Sequence, residues 1–324
     1  MILLCGIPSE TPLRMVRERL DDLGVDYVLF NQRHFADSEA WFETANGEVR
    51  GELRIGPAVY ALQDFNAVYT RLMDDRCLPE LDGEGPESPL RRHCRGLHET
   101  LLRWMEIAPA MVINRCAAMA SNSSKPYQAQ LIEQSGLLTP PTLITSDPAE
   151  VRAFQARHGR VIYKSISAVR SIVHTLSEED NDRLNRIQWC PTQFQGFVEG
   201  TNVRVHIAGN RVYATAIETE ATDYRYAKRQ AGEPAELREV ELAEPLAEKC
   251  IALARRLGLV FAGIDLKITP DDRVYCFEVN PCPAFSYYEA NTGQPISEGV
   301  ALCLADADAH RATSDAVMNC AALA

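Results

Sequence analysis

The stretch that decides the fold is AGIDLKI at residues 262–268, followed by VYCFEVNP at residues 274–281. Each run alternates polar and apolar residues in the manner of a β-strand. The residues between them, TPDDR at 269–273, contain proline and aspartate, which are typical of turns. The stretch therefore predicts an antiparallel hairpin with short apolar runs on both sides.

Strand alternation assigns the side chains of this hairpin to faces: Gly263, Asp265 and Lys267 share one face of the first run, and Cys276, Glu278 and Asn280 share one face of the second. A turn centred between Pro270 and Asp271 would place Asp265 opposite Cys276 and Gly263 opposite Glu278. Gly263 would then leave space beside Glu278, and the three oxygen side chains would converge. Two carboxylates and an amide oxygen form a ligand set that Mg²⁺ prefers. The alternative is a pair of solvated hairpin carboxylates, against which the flanking apolar runs argue.

Two lysines precede this hairpin in suggestive places. Lys164 ends the apolar run VIY at 161–163, and Lys125 stands before Pro126 at the start of a predicted helix. Such lysines are commonly solvated surface charges, and the alternative is a point charge that holds ATP phosphates. The run FQGFV at 194–198 is either a core strand or an apolar wall with backbone groups for an adenine ring.

Length and composition limit the classes of protein. The chain has 324 residues, of which 46% are hydrophobic and 24% charged, which fits two or three globular domains. A net charge of −12 argues against nucleic-acid partners and anionic membrane surfaces. The sequence contains neither a run of about 18 apolar residues nor a secretory signal, so we expect a cytoplasmic protein. The ten cysteines form no C-x-x-C pair, so reduced thiols are expected, and the dispersed histidines indicate no zinc site.

The rest of the chain predicts an α/β protein. Residues 2–30 have the pattern of a strand, a helix and a second strand, without the G-x-G-x-x-G of a dinucleotide site. Asn46-Gly47 predicts a hairpin within 41–60. Further on, a helix is expected at 148–158 and another at 243–257.

Taken in order, these residues resemble the ATP-grasp superfamily, most closely the RimK-type amino-acid ligases and the peptide-modifying graspetide synthetases. The segments that carry the resemblance are Asn114, Ser123–Pro126, Pro141–Thr145, Val161–Lys164, Phe194–Val205, Asp265 and Glu278–Pro281. The resemblance implies an ATP-grasp fold behind an α/β pre-ATP-grasp domain. The implied domains are residues 1–113, a lobe at 114–193 with the phosphate-binding lysines, a lobe at 194–310 with the metal site, and a tail at 311–324.

The resemblance also implies roles for individual residues. The residues implied in ATP binding are Lys125, Lys164, Gln195, Gly196, Phe197, Val198, Asn202 and Arg170. Arg204 and Arg225 would face the phosphoryl-transfer site, and Asp265, Glu278 and Asn280 would hold one or two Mg²⁺ ions, or Mn²⁺ in their place. One departure stands out, because the loop Ser165–Ser171 lacks the glycines of RimK-type ligases. Arg170, or the hydroxyls of Ser167 and Ser171, would compensate for the missing backbone contacts to phosphate, and the alternative is that Arg170 is a surface residue.

Three functions remain open. The first is an ADP-forming ligase that activates a carboxylate as an acyl phosphate and joins it to an amine or hydroxyl on an amino acid, small peptide or protein. The second is a graspetide-type macrocyclase that crosslinks side chains of a precursor peptide. The third is a nucleotide-binding module without catalysis, which the glycine-free loop favours. A homo-oligomer is compatible with each of them.

Overall fold

A computed structural model describes residues 1–166, 173–219, 232–233 and 235–322 of the chain, with residues 311–322 as backbone. Its strands are β1 (Ile2–Gly6), β2 (Tyr27–Asn31), β3 (Ser38–Ala45), β4 (Glu48–Ile55), β5 (Ala58–Ala61), β6 (Ala67–Thr70), β7 (Met111–Ile113), β8 (Thr142–Thr145), β9 (Val161–Ser165), β10 (His174–Thr175), β11 (Thr192–Gly196), β12 (Thr201–Ala208), β13 (Arg211–Glu218), β14 (Glu236–Val240), β15 (Phe261–Ile268) and β16 (Val274–Asn280). Its α-helices are α1 (Thr11–Asp22), α2 (Pro89–Ile107), α3 (Cys116–Met119), α4 (Lys125–Glu133), α5 (Pro148–His158), α6 (Glu244–Arg256), α7 (Ser286–Thr292) and α8 (Ile296–Ala322). Short 3-10 helices occur at Gln32–Asp37, Leu62–Asp64, Asp75–Cys77, Pro79–Leu81, Ala120–Ser123, Glu178–Asp182 and Leu184–Trp189.

A parallel sheet of order β2-β1-β6-β7 organises the first part of the chain. Its strand β1 is buried on both faces, because Ile2 and Leu4 pack with α1 and α8 whereas Leu3 and Cys5 pack with α2. Burial on both faces is the reason a central parallel strand has a continuous apolar sequence. The predicted strand–helix–strand unit and the α/β class are confirmed.

A three-stranded antiparallel sheet, β3-β4-β5, extends from this unit. The turn between β3 and β4 is Asn46-Gly47, with φ of 55° and 84°. Positive φ at both central residues is what a two-residue type I′ hairpin turn requires, and Asn-Gly meets it at least cost. The predicted hairpin is confirmed.

Two antiparallel sheets follow. The first, of order β10-β9-β11-β8, packs Val161 and Phe194 against Val151 and Phe154 of α5. The second, of order β14-β13-β12-β15-β16, has a separate core that includes α6. Ile132 of α4 is buried in that second core, so the helix that begins at Lys125 packs with the five-stranded sheet. The domain boundaries at 113, 193 and 310 stay a prediction.

Some elements differ from the sequence prediction. Strand β14 and helix α7 were not predicted. The run at 67–73, whose sequence pattern is compatible with either a strand or a short helix, forms a strand over Ala67–Thr70. Within the part of the chain that the structure describes, no helix is both long and apolar enough to cross a membrane.

Candidate functional site

The β15–β16 hairpin has a different register from the predicted one. Asp265 lies opposite Glu278, and Gly263 lies opposite Asn280, but Leu266 lies opposite Cys276. The predicted pairings of Asp265 with Cys276 and of Gly263 with Glu278 are therefore wrong. A β-bulge causes the difference, since it inserts one extra residue into β16 between the two halves of the ladder.

The bulge also changes which side chains share a face. Cys276 is fully buried in the core under the sheet, so the prediction that it shares a face with Glu278 and Asn280 is wrong. Phe277 and Glu278, although adjacent in sequence, both line the cleft on the opposite side. The bulge thus re-aims one carboxylate so that it stands directly across from Asp265.

Each of these two carboxylates has a cation beside it. Arg204 of β12 is Asp265's neighbour across the sheet, and its Nη1 lies 2.6 Å from Asp265 Oδ1. Lys125 forms an ion pair with Glu278 from the first residue of α4, and its Nζ also donates to Asn122 Oδ1 at 3.1 Å. The cations offset the repulsion that two facing carboxylates would otherwise suffer.

Gly263 has a role that the sequence did not predict. A Cβ at this position would collide with the guanidinium of Arg204 and with Pro283. The glycine therefore leaves space for Arg204, which is only 6% exposed, and not for Glu278 as predicted. The pairing of Arg204 with Asp265 depends on this close approach.

The cleft above the carboxylates brings together many of the predicted nucleotide-binding residues. Its walls include Lys164, Gln195, Phe197, Val198 and Asn202 together with Asp265 and Glu278. Gly196 lines a neighbouring cavity, beside Pro141 and His158. Gln195 Nε2 donates to Thr142 Oγ1 at 2.9 Å, which orients its amide at the wall.

Lys267 also lines the cleft, and sequence reasoning assigned it no role. Its Nζ lies 5.3 Å from the centre of the Phe197 ring, and the guanidinium carbon of Arg160 lies 3.7 Å from the same centre. Burial, followed by the nearby Arg160 charge, lowers the pKa of Lys267. The alternation that places Lys267 on the face of Asp265 was the available signal for this residue.

Two other predicted residues have defined surroundings, and four lie outside the described residues. Asn280 Oδ1 accepts a hydrogen bond from the Cys282 backbone N–H at 2.9 Å. Asn114 is buried, and its Nδ2 donates to the carbonyls of Phe261 and Pro281 at 2.6 and 2.7 Å. Asn114 thus connects the end of β7 to the start of β15 and to the residue that follows β16. The four residues outside the described part are Ser167, Arg170, Ser171 and Arg225.

Comparison with known proteins identifies the family. Residues 122–285, about half of the chain, match the profile of the ATP-grasp domain. The chain belongs to the ATP-grasp family. A search of the curated proteins found no significant match.

Several solved structures, among them ATP-grasp ligases and a macrocyclase, resemble the chain over almost its whole length. The ATP-grasp ligase PsnB, complexed with a precursor variant, Mg and ADP, is 25% identical, with a TM-score of 0.75 over 94% of this chain and 98% of that one. A RiPP-associated ligase from Chryseobacterium gregarium, in complex with ADP and a leader and core peptide, is 20% identical, with a TM-score of 0.78 over 94% and 96%. The macrocyclase MdnC from Microcystis aeruginosa MRC, bound with its precursor peptide, is 21% identical, with a TM-score of 0.75 over 94% and 99%.

The donor set of this ATP-grasp chain fits a hard divalent cation. Among the described residues, no group of three or more His, Cys, Asp or Glu side chains could hold a metal ion. The facing carboxylates of Asp265 and Glu278 are hard oxygen donors at the cleft, whereas the Asn280 amide oxygen accepts the Cys282 N–H. Mg²⁺ commonly takes only a few protein oxygens and completes its octahedron with water and substrate phosphates. Lys125 and Arg204 place positive charge against these carboxylates, as a bound cation would.

Proposed function

We propose that the chain is an ATP- and Mg²⁺-dependent ligase that acts on a peptide. It would activate a carboxylate as an acyl phosphate and join it to a hydroxyl or an amine, with release of ADP and phosphate. The observation that carries the proposal is the facing pair Asp265 and Glu278, which borders the cleft that Lys164 and Phe197 also line. Paired oxygen ligands beside a lysine are suited to a metal–nucleotide complex.

The cleft divides by chemistry into a base region and a phosphate region. Phe197, Val198 and the backbone at Gln195–Gly196 are proposed to hold the adenine, because they combine apolar surface with peptide groups. Asn202 lies across the sheet from Lys267 on the same side and is proposed to contact the ribose. Lys164 is proposed to bind phosphate as a point charge, together with Arg170.

The metal would be held by Asp265, Glu278 and Asn280, and it would supply positive charge to the phosphate oxygens. Lys125 and Arg204 already lie against these carboxylates, so they bring cationic donors to the same place. We propose that both bind the phosphoryl group that is transferred, with Arg225 as a further donor. Fixed cations of this kind stabilise the negative charge that develops during transfer.

The reaction needs positioning more than covalent help from the protein. An oxygen of the substrate carboxylate attacks the γ-phosphorus, and the bond from that phosphorus to ADP breaks. The hydroxyl or amine then attacks the acyl carbon, the bond to phosphate breaks, and the proton of the nucleophile leaves with the phosphate. Nucleophilic side chains of the enzyme take no part in either step.

Similarity to peptide ligases supports a peptide as the substrate. The RiPP-associated ligase and the macrocyclase named above have peptides bound, and each aligns with 94% of this chain. A precursor peptide with side-chain carboxylates is therefore the proposed partner, and an amino acid or short peptide is the alternative substrate. The product would be an ester or an amide, according to the nucleophile.

The proposal is tested by trapping the acyl phosphate. The purified chain is incubated with ATP, MgCl₂, hydroxylamine and a panel of peptides rich in Glu and Asp, and both ADP and peptide hydroxamate are measured. We expect ADP to equal the sum of hydroxamate and of peptide that has lost water through ester or amide formation with the native chain, and none of these products with Asp265→Asn combined with Glu278→Gln. Release of AMP and pyrophosphate would refute the acyl-phosphate route. Tight ATP binding without turnover on any peptide would favour the non-catalytic module instead.

A further inference from the structure

Strand β16, which carries two of the proposed metal ligands, lies at the edge of its sheet. The strand order β14-β13-β12-β15-β16 gives it a strand neighbour on one side. In an antiparallel pair, alternate residues direct both backbone groups away from the partner strand. At an edge, those backbone groups have no partner in a neighbouring strand. They are bound by another part of the protein or by water.

Two different devices cover this edge. Before the bulge, the backbone of Leu138 accepts from the Cys276 N–H at 2.8 Å and donates to the Val274 carbonyl at 3.1 Å. After the bulge, the side chain of Gln128 replaces a strand. Its Oε1 accepts from the Val279 N–H at 3.0 Å, and its Nε2 donates to the Val279 carbonyl at 2.9 Å. A primary amide can do this because it has the same donor and acceptor as a peptide group.

Val279, whose backbone binds the Gln128 side chain, lies between Glu278 and Asn280. Gln128 is only 1% exposed, so its hydrogen bonds to Val279 are shielded from competition with water. It lies on α4 three residues after Lys125, which pairs with Glu278. Helix α4 therefore holds this short segment at a side chain and at the backbone.

We infer that Gln128 is a positioning residue for the metal site, an inference that rests on the proposed function. The bulge interrupts the ladder just before Glu278, and β16 ends at Asn280, so the pairing with β15 constrains this segment at few points. Metal–ligand distances tolerate shifts of only about 0.2 Å, so a small movement of Val279 would displace both neighbouring oxygens relative to Asp265. Partners that orient metal ligands typically change metal affinity by roughly 10–100-fold.

The test replaces the amide with a side chain of similar length that forms no such hydrogen bonds. The variant is Gln128→Met, and the matched control is Gln130→Met on the exposed side of the same helix. Binding of Mn²⁺ in the presence of ADP is followed by electron paramagnetic resonance, and exchange of the Val279 amide by NMR. We expect Gln128→Met to bind Mn²⁺ roughly 10–100-fold more weakly and to exchange the Val279 amide faster. Gln130→Met should match the native chain in both measurements.

A second variant keeps the inference testable should Gln128→Met fold poorly. Gln128→Asn keeps a buried amide but shortens the side chain by one methylene, so it cannot reach both backbone groups of Val279 as Gln128 does. We expect its Mn²⁺ affinity to fall in the same range as that of Gln128→Met, with faster exchange of the Val279 amide.

The outcomes separate this inference from the function on which it rests. Native Mn²⁺ affinity in Gln128→Met, with fast exchange at Val279, would overturn the positioning role and leave the proposed function intact. Native Mn²⁺ affinity in Gln128→Asn, with fast exchange at Val279, would also contradict the role. Native Mn²⁺ affinity in Asp265→Asn combined with Glu278→Gln would overturn the metal site, and the inference with it.

Discussion

His206 should make the stability of the fold depend steeply on pH. The side chain is fully buried on β12, and neither ring nitrogen has a hydrogen-bond partner among the described residues. Its ring lies 4.9 Å from that of Tyr288 and 6.4 Å from that of Phe261. Burial, with the charge of Arg204 as a smaller contribution, lowers the pKa of His206 well below its usual value. The imidazole is therefore neutral in the folded chain.

The sign and size of the effect follow from proton linkage. Below about pH 6.5 the unfolded chain protonates this histidine and the folded chain does not, so the unfolded state binds the extra proton and stability falls as pH falls. The limiting slope is about 1.4 kcal/mol per pH unit. From pH 8 to pH 5 the native chain should lose about 2 kcal/mol through this group alone. Above pH 7 His206 contributes almost nothing to the pH dependence of the free energy of unfolding, because the imidazole is neutral in both the folded and the unfolded chain.

The assay is urea denaturation of the native chain and of His206→Phe at several pH values between 5 and 8. Phenylalanine preserves a ring without titratable nitrogens, so any constant packing penalty cancels when the pH slopes are compared. We expect the free energy of unfolding of the native chain to fall by about 2 kcal/mol more than that of His206→Phe. Parallel pH profiles for native and His206→Phe would refute the buried, neutral imidazole.

Three further predictions concern the cleft. Asp265→Asn combined with Glu278→Gln should abolish ATP turnover while the circular dichroism spectrum stays native, because the two strands of the hairpin pair without these charges. Residual turnover near the native rate would contradict the metal assignment. Gly263→Ala should lower ATP turnover far more than it lowers ATP affinity, because the added Cβ displaces the guanidinium of Arg204. The control is Gly96→Ala, because a Cβ at position 96 would have open space around it. Steady-state kinetics of the two variants give the comparison. Lys267→Met should weaken ATP binding about 2- to 30-fold, since the cation–π contact of Lys267 with Phe197 is worth roughly 0.5–2 kcal/mol. An ATP affinity equal to the native value, measured by calorimetry, would show that Lys267 does not help to hold Phe197 in the wall of the cleft.

Much of the local structure was accessible from the sequence because its causes are local. Asn46-Gly47 specifies its hairpin turn through the φ values that these two residues accept. The helix at Pro148–His158 was predicted with the observed bounds, because Asp147 caps its first turn and Gly159 follows its last residue. The AGIDLKI and VYCFEVNP runs predicted a hairpin because strand alternation and the turn residues between the two runs are also local features of the sequence.

The register of that hairpin was not accessible, because nothing within its two strands requires a bulge. The extra residue becomes favourable through distant contacts: Cys276 packs in the core with α6, and Gln128 binds the Val279 backbone from 151 residues away. The alternation of polar and apolar residues along each strand does not reveal an extra residue in β16, because the contacts that stabilise this residue come from other parts of the chain.

The sequence by itself therefore determined which residue types are available for the proposed chemistry. The acids, the amide and the cations Lys125, Lys164 and Arg204 were predicted from residue type and from their order along the chain, whereas Lys267 was not. Tertiary structure alone decided which of them meet: Arg204 with Asp265 across a gap that Gly263 leaves open, and Lys125 with Glu278 at the start of a helix. The physical reason is that opposite charges attract in any sequence order, and only the packing of α4 and β12 against β15 and β16 brings these particular pairs within reach.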